Sequence, residues 1–124
     1  MDTRNKILTA AAALAIPRPF AIVTGTFDVL RAEHARELQE ARSRSGAARL
    51  LVIVLPRSSE LLPQCARAEL VAALRVVDYV VASGPLELEG ILNALEPIHL
   101  VRLEEADELR SRQLREQIVT KFQP

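Results

Sequence analysis

Two apolar runs constrain this chain more than anything else in it: Phe20 to Val23, and Leu50 to Leu55 with the text LLVIVL. Neither alternates apolar with polar residues, as a strand with one wet face would. Both read as strands covered on both faces. YVVA after Asp78 and IHLVRL after Pro97 are two further short candidates. Helical spacing fills the intervals. His34, Leu38 and Ala41 share one face of a helix over about 32–45, with Arg36, Glu37, Glu40 and Arg44 mostly opposite and Gly46 as its C′ residue. A second helix, from about Cys65 to Arg75, is expected to bury Leu70, Val71 and Leu74. A third starts at Ser83-Gly84-Pro85 and aligns Leu88, Ile91, Leu92 and Leu95. Residues 3–15 predict a leading helix ended by Pro17 and Pro19. Residues 106–122 predict a last one, with Leu114, Ile118 and Phe122 on a stripe.

Strands that alternate with helices predict an α/β fold: a Rossmann-like three-layer domain with a parallel sheet of four or five strands and right-handed crossovers. A length of 124 residues suits a single domain over 1–124. Only 3% of residues are aromatic against 49% hydrophobic, so the core must come from Leu, Val, Ile and Ala. Sixteen basic residues balance 16 acidic ones, which argues against a nucleic-acid or membrane-surface partner. Cys65 is the only cysteine, so neither an internal disulfide nor a multi-cysteine zinc site can form. Lys6 and the following ILTAAAALAI have a superficial likeness to a signal peptide. The run is short and leads into a strand that the fold needs, so a packed helix is expected. No apolar stretch is long enough to span a bilayer, and the cytoplasm is the expected location. A homodimer is left open.

The first strand leads through Thr24-Gly25-Thr26 into a helix that carries His34 in its first turn. Strand, tight turn and helix N-terminus make an anion site at the carboxyl end of a parallel sheet. Gly25 is expected to let the backbone turn sharply or approach a ligand.

The text GTFDVLRAEH at this turn resembles the signature of the cytidylyltransferase-like nucleotidyltransferases, Gly-[Thr/Cys]-Phe-Asp-x-x-His-x-Gly-His. Arg67 to Val81, RAELVAALRVVDYVV, is similar to that family's second block. The leading helix and AIVTGTFD look most like heptose 1-phosphate adenylyltransferases and glycerol-3-phosphate cytidylyltransferases. The likeness covers roughly residues 5–102. It implies transfer of a nucleotidyl group from a nucleoside triphosphate to a phosphorylated acceptor, without a covalent intermediate and usually with magnesium.

Position by position, Gly25, Thr26, Phe27 and Asp28 match the signature and His34 keeps its second histidine. The first histidine falls on Arg31 and the glycine on Glu33. Arg31 can hold a phosphate by a fork but cannot exchange a proton near neutral pH. A Glu33 carboxylate about 4 Å from a phosphate charge repels it by roughly 4 kcal/mol at an effective dielectric of about 20. That exceeds the benefit of about 0.3–1 kcal/mol that it brings to a helix N-terminus. The family's lysine after the second strand is missing from PRSSELLPQ, where Arg57 is the basic residue. Its Lys-Gly text after the fourth strand is replaced by Arg102-Leu103-Glu104-Glu105. Its Ile-Ser-Thr-Thr turn is absent, with Ser111 the one residue placed to stand in.

The remaining candidates have two readings each. Asp28 either holds the turn by an Asx hydrogen bond or joins Glu104, Glu105, Asp107 and Glu108 on magnesium. Those four otherwise complement the next helix N-terminus. Arg67 either reaches a ligand phosphate or is an exposed, solvated helix residue. His34 either donates to phosphate or caps and packs a helix start. His99 reads as structural, Cys65 as structural at a helix start, and the two histidines lack metal-ligand spacing. The expectation is a catalytically impaired nucleotidyltransferase-like domain, with Thr24, Gly25, Thr26, Phe27, Asp28, Arg67 and Ser111 around a nucleotide or phosphorylated ligand. An active enzyme using Arg31 and His34, and an interaction domain with an empty pocket, are the alternatives.

Overall fold

The computed structural model describes residues 3–27, 32–46, 49–57 and 62–104. Five parallel strands form one sheet: β1 (Ile7–Leu8), β2 (Phe20–Gly25), β3 (Arg49–Val54), β4 (Tyr79–Ala82) and β5 (His99–Arg102). Their order is β1-β4-β3-β2-β5, and each neighbouring pair is parallel. The helices are α1 (Ala10–Ala13), α2 (Ala32–Ser45), α3 (Gln64–Ala72) and α4 (Leu88–Leu95). This is the expected α/β three-layer architecture, with five strands.

The period-2 geometry of the strands sorts the core into two halves. Ala21, Val23, Leu50, Val52, Val54 and Val80 face Leu38 and Ala41 of α2 and Ala68, Val71 and Ala72 of α3. Phe20, Ile22, Leu51, Ile53 and Val81 face Ala13 of α1 and Leu88, Leu92 and Leu95 of α4. An unbroken apolar run is what a strand needs when both its faces are covered. Truncating one of the fully buried leucines, such as Leu38 or Leu51, costs about 2–5 kcal/mol.

The leading segment departs from the expected helix over 3–15. A 3-10 turn (Thr3–Lys6) precedes β1, which pairs Ile7 with Val80 and Leu8 with Val81. The open edge of β4 supplies a ladder there that outweighs helix propensity. Thr9 then caps α1, its hydroxyl accepting from the Ala12 N–H at 3.1 Å, so helix is confined to the alanines. Leu70 also departs from expectation: it lies exposed on α3, while Arg67, Ala68, Val71 and Ala72 form the buried stripe. Gly46 takes the left-handed φ of 66° expected at the end of α2. No described helix is long and apolar enough to cross a membrane.

Candidate functional site

Because β3 lies on one side of β2 and β5 on the other, the chain reverses its winding at β2. Open parallel sheets bind ligands at such a switch point, outside the carboxyl ends of the strands. Thr24 and Gly25 end β2 there, with Arg102 paired to Thr24 at the end of β5.

Phe27 organises the turn. It holds a left-handed φ of 51°, which costs a non-glycine residue about 1–2 kcal/mol. Burial of its ring to 1% exposure is worth about 1.5–3 kcal/mol and offsets that strain. The ring lies directly against Gly25: a Cβ at position 25 would come within 2.8 Å of it. Gly25 is therefore needed for the protein's own phenylalanine, whereas a sharp turn or a close ligand was the expectation. The ring also meets His34 edge-on, with centroids 5.5 Å apart and planes at 65°. His34 is only 4% exposed, one turn before the core residue Leu38 on α2. Gly25, Phe27 and His34 thus stack on the α2 side of the sheet.

Thr24 is fully buried, and its hydroxyl donates to Oε2 of Glu104 at 2.7 Å. Glu104 lies just beyond β5, so this bond joins the carboxyl ends of β2 and β5. Glu33, in the first turn of α2, and Glu37 are half-buried. Among the described residues, no three His, Cys, Asp or Glu side chains come together to hold a metal ion.

Arg67 is neither solvated nor surface-exposed. It is completely buried, and its guanidinium reaches carbonyls from three segments. Nε donates to Leu62 O at 3.1 Å, and Nη1 donates to Leu55 O at 2.7 Å and to Thr26 O. Gln64, three residues earlier, donates from Nε2 to Val54 O and Ser83 O, both at 2.9 Å. Neighbouring backbone bonds run from Leu55 N to Gly25 O at 2.8 Å and from Ser83 N to Val54 O at 3.1 Å. Two side chains from the start of α3 therefore lace the carboxyl ends of β2, β3 and β4.

Of the residues predicted for the site, Thr24, Gly25, Thr26, Phe27, His34 and Arg67 gather at this rim. Asp28, Arg31 and Ser111 lie outside the described residues, as do Glu105, Asp107 and Glu108. His99 sits on β5 in register with Ala21, and Cys65 is exposed on α3. Gln64 was missed by the sequence reading, and so was the partnership of Glu104 with Thr24. Neither carries a local pattern.

No protein-family model matches the chain, and no curated protein matches it. Among solved structures, the crystal structure of the lipopolysaccharide core biosynthesis protein from Thermoplasma volcanium GSS1 is similar, with a TM-score of 0.58. The match is 22% identical and covers 64% of this chain and 69% of that one. At that identity the likeness shows a shared fold, the Rossmann-like α/β sheet described above.

Proposed function

We propose that this chain is a nucleotidyltransferase-like domain that retains an anion site at the β2–α2 turn and has lost efficient nucleotidyl transfer. The observation that carries this reading is the 2.7 Å bond from Thr24 to Glu104 at the switch point. The family that the signature resembles usually shows a lysine followed by glycines just after the strand that corresponds to β5. Here a carboxylate stands at the crevice and engages the one hydroxyl that ends β2. A second carboxylate, Glu33, sits where the signature has glycine. Each opposes the charge that develops when a phosphoryl bond breaks, and that charge is what such enzymes must stabilise. His34 supports the same reading, since its imidazole packs into Phe27 beneath the surface. The nucleotide or phosphorylated ligand is proposed from the likeness of the signature at the β2–α2 turn.

The test is a thermal-shift screen with CTP, ATP, CMP and AMP, with and without magnesium, run beside a pyrophosphate-release assay with sugar phosphates and glycerol 3-phosphate. At least one nucleotide is expected to raise the melting temperature while pyrophosphate stays at background. Release above background that His34→Ala abolishes would overturn the reading in favour of an active enzyme. No shift with any nucleotide would overturn it in favour of an interaction domain.

A further inference from the structure

Among the described residues Arg67 is the largest fully buried side chain, and it has no part in the proposed loss of transfer. A cation is costly to bury unless hydrogen bonds compensate it. Its guanidinium donates to carbonyls at three places: Thr26 in the turn after β2, Leu55 at the end of β3, and Leu62 ahead of α3. Arginine suits this task because its planar fork fixes several acceptors at once, which a lysine ammonium on a flexible stem does not. The Thr26 carbonyl lies between Gly25 and the strained Phe27, so fixing it fixes the turn on which the anion site is built. The Leu55 carbonyl belongs to the residue whose own N–H donates to Gly25 O at 2.8 Å. Both sides of the β2–β3 rim therefore pass through one guanidinium.

We propose that Arg67 is a positioning residue that couples the backbone at Thr26, just after β2, to the backbone at Leu55 and Leu62, so that the carboxyl ends of β2 and β3 move as one unit. This rests on the anion-site reading only for its benefit to a ligand; the coupling itself is a property of the protein alone. Gln64 serves as the internal contrast, because its side chain ties β3 to β4 through Val54 and Ser83 and not to the turn.

Amide hydrogen exchange decides the matter. Arg67→Met removes every donor, and Arg67→Lys keeps the charge but loses the fork. Should Arg67→Met fail to fold, Arg67→Lys carries the decision. In the variants, the Phe27 and Leu55 amides should exchange at least tenfold faster than in the wild type. The Val52 and Val80 amides, in the middle of the sheet, should stay within twofold. Gln64→Ala should speed the Ser83 amide and leave Phe27 and Leu55 within twofold. A uniform rise at all four amides in the Arg67 variants would overturn the proposal, since it reports loss of global stability. No rise at Phe27, or an equal rise at Phe27 in Gln64→Ala, would overturn it as well. A wild-type protein that binds no nucleotide would defeat the anion-site reading and leave these exchange ratios unchanged.

Discussion

The two ends of the sheet solve the same problem with different chemistry. Both must satisfy backbone groups where strands give way to loops. At the amino end, Oδ2 of Asp78 accepts from the Leu50 N–H at 2.8 Å and faces Arg42 at 3.5 Å. Arg42 also donates to Val76 O, and Lys6 to Leu74 O. The Asp78 and Arg42 side chains remain 31% exposed, so solvent shares the work. At the carboxyl end the donors come from Arg67, completely buried, and from Gln64, and Thr24 is sealed onto Glu104. A wet ion pair tolerates change because water replaces a lost partner. A buried guanidinium does not, because its removal leaves carbonyls that water cannot easily reach. The rim held by buried donors is thus the one at the switch point, where open parallel sheets place their ligands.

The largest expected effect that sharpens this contrast is Arg67→Met. It should destabilise the fold by about 3–5 kcal/mol, as expected when buried charge-assisted bonds lose their donor. Urea unfolding measures it, and a loss below about 1 kcal/mol would erase the difference between the two ends. Gly25→Ala comes next, at about 1–3 kcal/mol, because the new Cβ would lie 2.8 Å from the Phe27 ring. Phe27→Leu in the same chain should recover part of that loss. Additive losses in the double variant would show that ring and glycine do not meet. The smallest effect is Arg42→Ala at the amino end. It removes a half-exposed pair and one carbonyl bond, and should cost no more than about 1 kcal/mol. A cost equal to that of Arg67→Met would break the comparison outright.

Much of the frame was legible in the sequence, and the reason is local. The strand at Phe20–Gly25, the helix at Ala32–Ser45 and the strand at Tyr79–Ala82 follow from apolar runs and 3.6-residue spacing. The two-residue β1 was not legible, because Ile7 and Leu8 become a strand only through the edge that β4 offers. The Thr24-Gly25-Thr26 turn could be read from its residues, but the role of Gly25 could not, since it depends on where the Phe27 ring folds back. Arg67 was the hardest. Its acceptors Thr26 and Leu55 lie 41 and 12 residues away and are backbone carbonyls, which every residue has. The Thr24–Glu104 contact spans 80 residues. Sequence patterns report faces and turns; they do not report which distant carbonyl a cation will find.

The central claim is that carboxylates at the switch point weaken an anion site that the fold still provides. Calorimetric titration of CTP and ATP into the wild type, Glu33→Gly and Glu104→Gln tests it most directly. Glu104→Gln removes the charge and keeps an acceptor for the Thr24 hydroxyl. Glu33→Gly removes the other charge and restores the glycine of the signature, with a stability cost of up to about 1 kcal/mol. At least one variant should bind a triphosphate tenfold or more tightly than the wild type, about 1.4 kcal/mol, with a larger gain at low salt. Equal affinity in all three proteins would contradict the claim and turn attention to the missing lysine and outer-phosphate turn.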